Sequence, residues 1–195
     1  MQKKRSPLIA FFVLMAIVVL YAVFRSPDKG TSSVTQSIRS APSRPESSIP
    51  QAKAEPGSPW RYSSDEDPMG RKRSFARVSS TNTLDFGFPY QGSQLGTLTI
   101  RKAIDSGTNV ILRIEHGQFL CGIEGCGVNV RFDSRPIQRF SASGPNDRST
   151  TTVFIENEAR FISQLRKANT VRIESTFYQE GSQTLEFDVQ GFRWP

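Results

Sequence analysis

The chain has 195 residues, with 25 Lys or Arg against 18 Asp or Glu and a single His. The formal charge of +7 is unevenly placed: the residues before Trp60 carry eight Lys or Arg and three acids, and those from Trp60 onward carry seventeen and fifteen. A folded part with a net charge of only +2, lacking an RNP-type aromatic motif and a recognition helix, argues against a nucleic-acid partner.

Lys3, Lys4 and Arg5 lie in a short leading segment, 1–7, before Leu8 to Phe24, LIAFFVLMAIVVLYAVF, a run of seventeen residues without a charge. That is the lower end of the roughly 17–25 residues that cross a hydrocarbon core of about 30 Å, and the run has no polar face of the kind a surface helix shows. A removable signal peptide has a shorter apolar core and small residues at its end; this run ends in Tyr21-Ala22-Val23-Phe24-Arg25. The reading is an uncleaved transmembrane signal anchor over 8–24. No cysteine lies near it, so it is not a lipoprotein anchor. The basic residues before the span predict a cytoplasmic tail over 1–7, a single pass through the inner (cytoplasmic) membrane and export of everything that follows to the periplasm.

Residues 25–59 are rich in Ser and Pro, with Val34, Ile38 and Ile49 as scattered large apolar side chains. Too little apolar surface is present to offset the entropy of ordering the chain, so the segment reads as a disordered linker. A flexible chain of this length reaches roughly 30–35 Å.

Residues 60–195 have the size of one domain with one core. Trp60-Arg61-Tyr62 predicts a short strand, and Asp65, Glu66 and Asp67 an acidic surface turn, since an EF-hand loop would need a glycine turn and a terminal glutamate that are absent. Phe75 to Ser80 predicts a strand. Leu84 to Tyr90, with Gly87 and Pro89 inside it, predicts a bend or edge segment carrying core or lid aromatics. From Leu95 the period becomes two. Leu98 and Ile100, then Val110, Leu112 and Ile114, then Val128, Val130 and Phe132 alternate with polar partners, which predicts half-buried antiparallel strands. Arg135 to Ser141, Thr151 to Ile155, Val171 to Glu174 and Leu185 to Val189 continue the series.

One helix is predicted after Asn157, its expected N-cap, with Ala159, Phe161, Ile162, Leu165 and Ala168 as the apolar stripe and Arg166 and Lys167 at its C-terminal end. The fold class is therefore mainly β with one packed helix. Two stacked sheets and a small open barrel are the architectures that fit.

Two cysteines occur, Cys121 and Cys126, both in the exported part. If they end two strands of one hairpin around Gly-Ile-Glu-Gly, their Cα atoms fall at about 5.5 Å, which suits a disulfide. In an oxidising compartment such a bridge is expected. A metal site would need more ligands than one His supplies, and a redox motif has two intervening residues; no metal is expected. No P-loop or G-x-G-x-x-G occurs, so no cofactor is expected either.

Catalytic machinery is hard to assemble. His116 follows Glu115, which points to the opposite strand face, and no nucleophile elbow accompanies it. Four arginines, Arg101, Arg113, Arg131 and Arg172, fall on polar strand faces. They form either a basic binding stripe for carboxylates or phosphates or a solvated face paired across strands with Glu115, Asp133 and Glu174.

The series Trp60-x-Tyr62, Phe88-Pro89-Tyr90, Gly117-Gln118-Phe119-x-Cys121, Cys126-x-Val128-x-Val130-Arg131-Phe132-Asp133, Tyr178-Gln179-Glu180-Gly181 and Phe187-Asp188-x-x-Gly191-x-x-Trp194 resembles a group of proteobacterial envelope proteins of unassigned function. The order of strands, helix and final F-D-x-x-G strand is more distantly similar to the TagO-type accessory domains of type VI secretion systems. The resemblance implies a periplasmic β-domain and brings no catalytic residues. The expected function is a non-enzymatic interaction module for an envelope protein or a cell-wall component, with a secretion-associated role as one form of it. The second class is an envelope-directed hydrolase using His116 with Asp133 and Glu115.

Overall fold

The computed structural model describes residues 53–54 and 57–194; the expected cytoplasmic tail, the anchor over 8–24 and most of the expected linker lie outside the described residues. Among the described residues no helix is long and apolar enough to cross a membrane.

Alternation in sequence becomes alternation in burial. In β5, Gly107–Ile114, Val110, Leu112 and Ile114 are buried while Arg113 is exposed; in β6, Cys126–Phe132, Val128, Val130 and Phe132 are buried and Arg131 is exposed. The other strands are β1, Lys53–Ala54; β2, Arg61–Glu66; β3, Lys72–Phe86; β4, Gly92–Ala103; β7, Gln138–Ser143; β8, Thr152–Ile155; β9, Thr170–Phe177; and β10, Gly181–Asp188. All pair antiparallel. β1, which lies in the stretch that composition reads as linker, pairs with β2, so the ladder begins before Trp60.

The strands form one ten-stranded sheet in the order β1-β2-β3-β4-β5-β8-β7-β6-β9-β10. Two stacked sheets are thus not what forms: a single sheet curls until β10 comes alongside β3, the open-barrel alternative. A bulge in β3 is the physical reason. Ser79 pairs with Thr97 and Thr83 with Leu95, so residues 80–82 of β3 oppose Gly96 alone. Such an insertion bends its strand and sharpens the twist. The bulged residues then close the barrel through side chains. Asn82 donates through Nδ2 to Thr184 O at 2.9 Å and accepts the Glu186 N–H at 2.7 Å, while Thr81 Oγ1 donates to Glu186 O at 3.1 Å. Ser80 Oγ accepts the Gly96 N–H at 2.9 Å, replacing the ladder bond that the bulge removes. Gly96 is required here: a Cβ at that position would sit 2.5 Å from Leu185 Cδ1 of β10.

The expectation of a bend or edge segment over Leu84 to Tyr90 is corrected in part. β3 continues through Phe86, paired with β4 and burying Leu84 and Phe86, because the bulge lets one strand turn the corner. The bend is confined to 87–90, where the Phe88-Pro89 bond is cis and the Tyr90 N–H donates to Gly87 O.

α1, Glu158–Leu165, packs Phe161, Ile162 and Leu165 inward. Phe161 meets Phe132 and Phe140 edge-on, with ring centroids 5.3 and 5.5 Å apart. Burial of such a side chain contributes about 1.5–3 kcal/mol. Ala159 is exposed rather than part of the stripe, since the inward arc of two helical turns is filled by the larger residues. Asn157 stands at the N-cap position in left-handed conformation, φ 59°, without a side-chain cap bond, a geometry Asn tolerates. Arg166 and Lys167 fall beyond the last helical residue, and the Arg166 guanidinium instead donates to Trp194 O at 2.7 Å.

Strand directions assign every loop to one of two ends. The helix end holds the turns at 67–71, 104–106 and 133–137, α1 and the terminal segment 189–194. The loop end holds 87–91, 115–125, 144–151 and 178–180.

Candidate functional site

At the loop end the segment 115–125 runs across the mouth of the barrel. The Phe119 N–H donates to Thr150 O at 2.8 Å, the Leu120 N–H to Thr176 O at 2.9 Å, and the Tyr178 N–H to Gln118 O at 2.9 Å. Phe119 itself turns inward, 4.7 Å between centroids from Phe177, which lies 5.3 Å from Phe86. The segment is therefore pinned by its backbone to Thr150 of the loop 144–151 and to the end of β9, and to the core by one aromatic.

Cys121 and Cys126 are bridged, with a Cα separation of 4.8 Å. The pair does not join two strands of one hairpin, as spacing alone suggests. Cys121 lies outside any strand, and β6 takes β7 and β9 as partners. The bridge closes a tight turn in which the Gly125 N–H donates to Gly122 O at 3.0 Å. Ile123 at its tip is fully exposed at 105%. Leu120, Tyr178 and Phe88, the last 79% exposed, are further solvent-facing apolar side chains at this end.

The turn stands between two concavities. One, about 640 Å³, lies between it and the loop 144–151 and is lined by Gln118, Ile123, Ser143, Pro145, Asn146 and Arg148 among others. The other, about 460 Å³, lies along β6 and β9 and includes Leu120, Gly127, Arg139 and Glu174. The exposed Arg139 guanidinium lies over Gly127, in the space a Cβ there would take. Glu174 is occupied by Asn129 Nδ2 at 2.8 Å.

The four arginines expected as a stripe divide into two pairs, because β8 and β7 stand between β5 and β6. Arg101 donates to Asn109 Oδ1 at 3.0 and 2.6 Å and lies over the Phe154 ring. Arg113 stands opposite Thr97 and Thr152. Arg131 faces Arg172 directly across the β6–β9 ladder; it donates to Arg135 O at 3.2 Å, while Arg172 forks onto Glu186 at 2.8 and 3.1 Å. That fork raises the Arg172 pKa above its ordinary value. The expected carboxylate partners are engaged differently: Glu174 holds Asn129, and Asp133 accepts the Asn169 and Thr170 N–H groups at 2.8 and 3.0 Å. Those backbone bonds, Thr170 foremost, hold the Asp133 carboxyl below its usual range.

His116 is exposed at the loop end, its backbone N–H donated to Gln94 Oε1 at 3.0 Å. Asp133 is at the helix end, at the far end of β6. The two do not converge on one substrate bond. Of the acidic turn, Asp65 pairs with Arg73 at 2.7 Å, and Asp67 takes Arg71 at 2.7 Å and the N–H groups of Met69 and Arg71. Among the described residues no group of three or more His, Cys, Asp or Glu is placed to hold a metal ion. Sequence reasoning passed over Ile123 and Arg148. An isoleucine at the tip of a Gly-Ile-Glu-Gly turn was the legible signal for the first; nothing local marked the second.

Fold and site together define a curled antiparallel β-domain, closed by a helix at one end and carrying a disulfide-braced loop cluster at the other. No family model matches the sequence, and no curated protein does. Among solved structures, the crystal structure of invasion associated protein B from Bartonella henselae is similar at 12% identity and a TM-score of 0.45, over 71% of this chain and 88% of that one. At that identity and score the likeness carries no weight for function.

Proposed function

We propose that the chain is a single-pass inner-membrane protein whose periplasmic β-domain is a non-enzymatic binding module, presenting its loop end to an envelope protein or a cell-wall component. The observation that carries the reading is the bridged turn, which holds Ile123 out in solvent beside a groove of about 640 Å³. An exposed apolar tip on a covalently closed loop costs solubility and little else unless something meets it, and binding residues gather on loops held by a rigid scaffold. The apolar run 8–24 with its basic flank supports the anchor, and the disulfide supports an oxidising compartment. Function associated with a secretion system is one form of this reading.

The test is thiol trapping in intact cells with a membrane-impermeant maleimide, with and without prior reduction. Labelling of Cys121 and Cys126 only after reduction supports an exported, oxidised domain. Free thiols reachable only after lysis would place the domain in the cytosol and remove the reading.

A further inference from the structure

The groove between the bridged turn and the loop 144–151 has a definite chemistry. Asn146 and the hydroxyl-bearing Ser143 and Thr152 line it together with Gln118, whose amide oxygen accepts the Tyr90 hydroxyl at 3.4 Å; Ile123 and Pro145 supply apolar wall, and Arg148 is the one charged residue among them. No carboxylate lines it. Its volume falls within the roughly 300–1,000 Å³ of small-ligand clefts.

Arg148 is placed unusually. Its backbone is left-handed, φ 60°, and its N–H closes the turn onto Pro145 O at 3.0 Å. Its side chain is exposed and makes no hydrogen bond or ion pair among the described residues, which it shares with Arg61, Arg113 and Arg139; what sets it apart from them is its place in the lining of this groove. The acid next to it, Asp147, is turned onto the Ser149 N–H at 3.0 Å. A guanidinium left open at the edge of a neutral polar groove matches a planar carboxylate.

Resting on the reading of the loop end as a binding surface, we propose that this groove takes a short peptide with a free terminal carboxylate, held by Arg148. One cation is too few for a polyphosphate or an anionic membrane surface. The aromatic of the lining, Phe119, is buried against Phe177, so no open ring face is present on which a sugar could stack. The Asn146 amide and the hydroxyl-bearing residues of the lining suit a peptide backbone, and Ile123 and Pro145 suit its side chains. A protein C-terminus and a cell-wall stem peptide share this chemistry.

The experiment is fluorescence anisotropy on the full chain in detergent, using labelled tri-L-alanine, a labelled peptide ending in D-alanyl-D-alanine, and the C-terminal amide of each. At least one free acid is expected to bind about tenfold more tightly than its amide, the size of one charge-assisted contact. Preference for the all-L acid points to a protein tail, and preference for the D-alanyl acid to the cell wall. Arg148→Gly removes the guanidinium while suiting the left-handed backbone, so it is expected to keep the melting temperature and abolish the difference between acid and amide; Arg131→Gln, at the other end, leaves it intact. Equal binding of acid and amide would overturn the carboxylate assignment while leaving the binding module standing. No binding of any probe up to about 10 mM would overturn the proposal, and thiol trapping would still report separately on the exported module.

Discussion

The two ends of the barrel are built from the same strands and differ in what fills them. At the helix end, Phe161 of α1 lies against Phe132 and Phe140, Trp60 donates its indole N–H to Val189 O at 3.1 Å, and Tyr62 Oη accepts the Arg193 N–H at 2.9 Å. The start and the end of the domain are thereby laced together. At the loop end the core stops at Phe86, Phe119 and Phe177, and beyond it lie turns, a disulfide and exposed apolar side chains. The difference teaches where stability and recognition are kept: closing one end with packed side chains leaves the other free to be shaped by loops.

The sharpest way to break this comparison is to remove a packed aromatic. Phe161→Ala is expected to cost about 3–5 kcal/mol, since it deletes a fully buried ring from the helix end. Ile123→Ser at the other end should change stability by less than about 0.5 kcal/mol. Urea denaturation followed by circular dichroism measures both, and comparable losses would show that the loop end is as structural as the helix end.

A smaller effect is expected from replacing Cys121 and Cys126 together by Ser. Six residues in the closed loop correspond by chain entropy to about 2–2.5 kcal/mol. Hydrogen exchange should show the loss concentrated over 117–126, with the strands near α1 still protected. Uniform loss across the domain would mean that the bridge supports the whole barrel.

The smallest expected effect lies in pH. The folded Asp133 carboxyl sits below its ordinary value of 3.8 because it accepts backbone N–H groups of Thr170 and Asn169. Its folded pKa being the lower one, it stabilises the domain above the unfolded value, and that contribution disappears as pH falls through the folded value. The melting temperature of the natural chain should therefore drop more between about pH 5 and pH 3 than that of Asp133→Asn. Parallel curves would show that the carboxylate is not what ties the 133–137 turn to the start of β9.

Much of the fold was legible locally. Val110, Leu112 and Ile114, or Val171 and Ile173, announce their inner face by period alone, and Ser106-Gly107 and Gly122 to Gly125 announce turns, because side-chain direction and turn conformation depend on neighbours in the chain. The bulge at 80–82 was not legible. Sequence alone ends a strand at Ser80 and gives Thr81 and Asn82 no role until β10, about a hundred positions later, supplies the Thr184 carbonyl and Glu186 N–H that Asn82 meets. The candidate site was legible in its cysteines and illegible in Arg148, whose significance depends on a loop it meets only in three dimensions.

Sequence by itself determined an apolar, positively flanked run ahead of a Ser/Pro-rich stretch, the period-two strands with one helix, and a cysteine pair spaced closely enough to bridge. Tertiary structure alone decided that β5 is followed in the sheet by β8 and not by β6, that the arginines divide into two pairs, that His116 and Asp133 lie at opposite ends, and that 117–125 and 144–151 face each other across a groove. The physical reason is that periodicity and turn chemistry are local, whereas strand pairing and loop convergence are set by burial and hydrogen bonding between residues far apart in the chain.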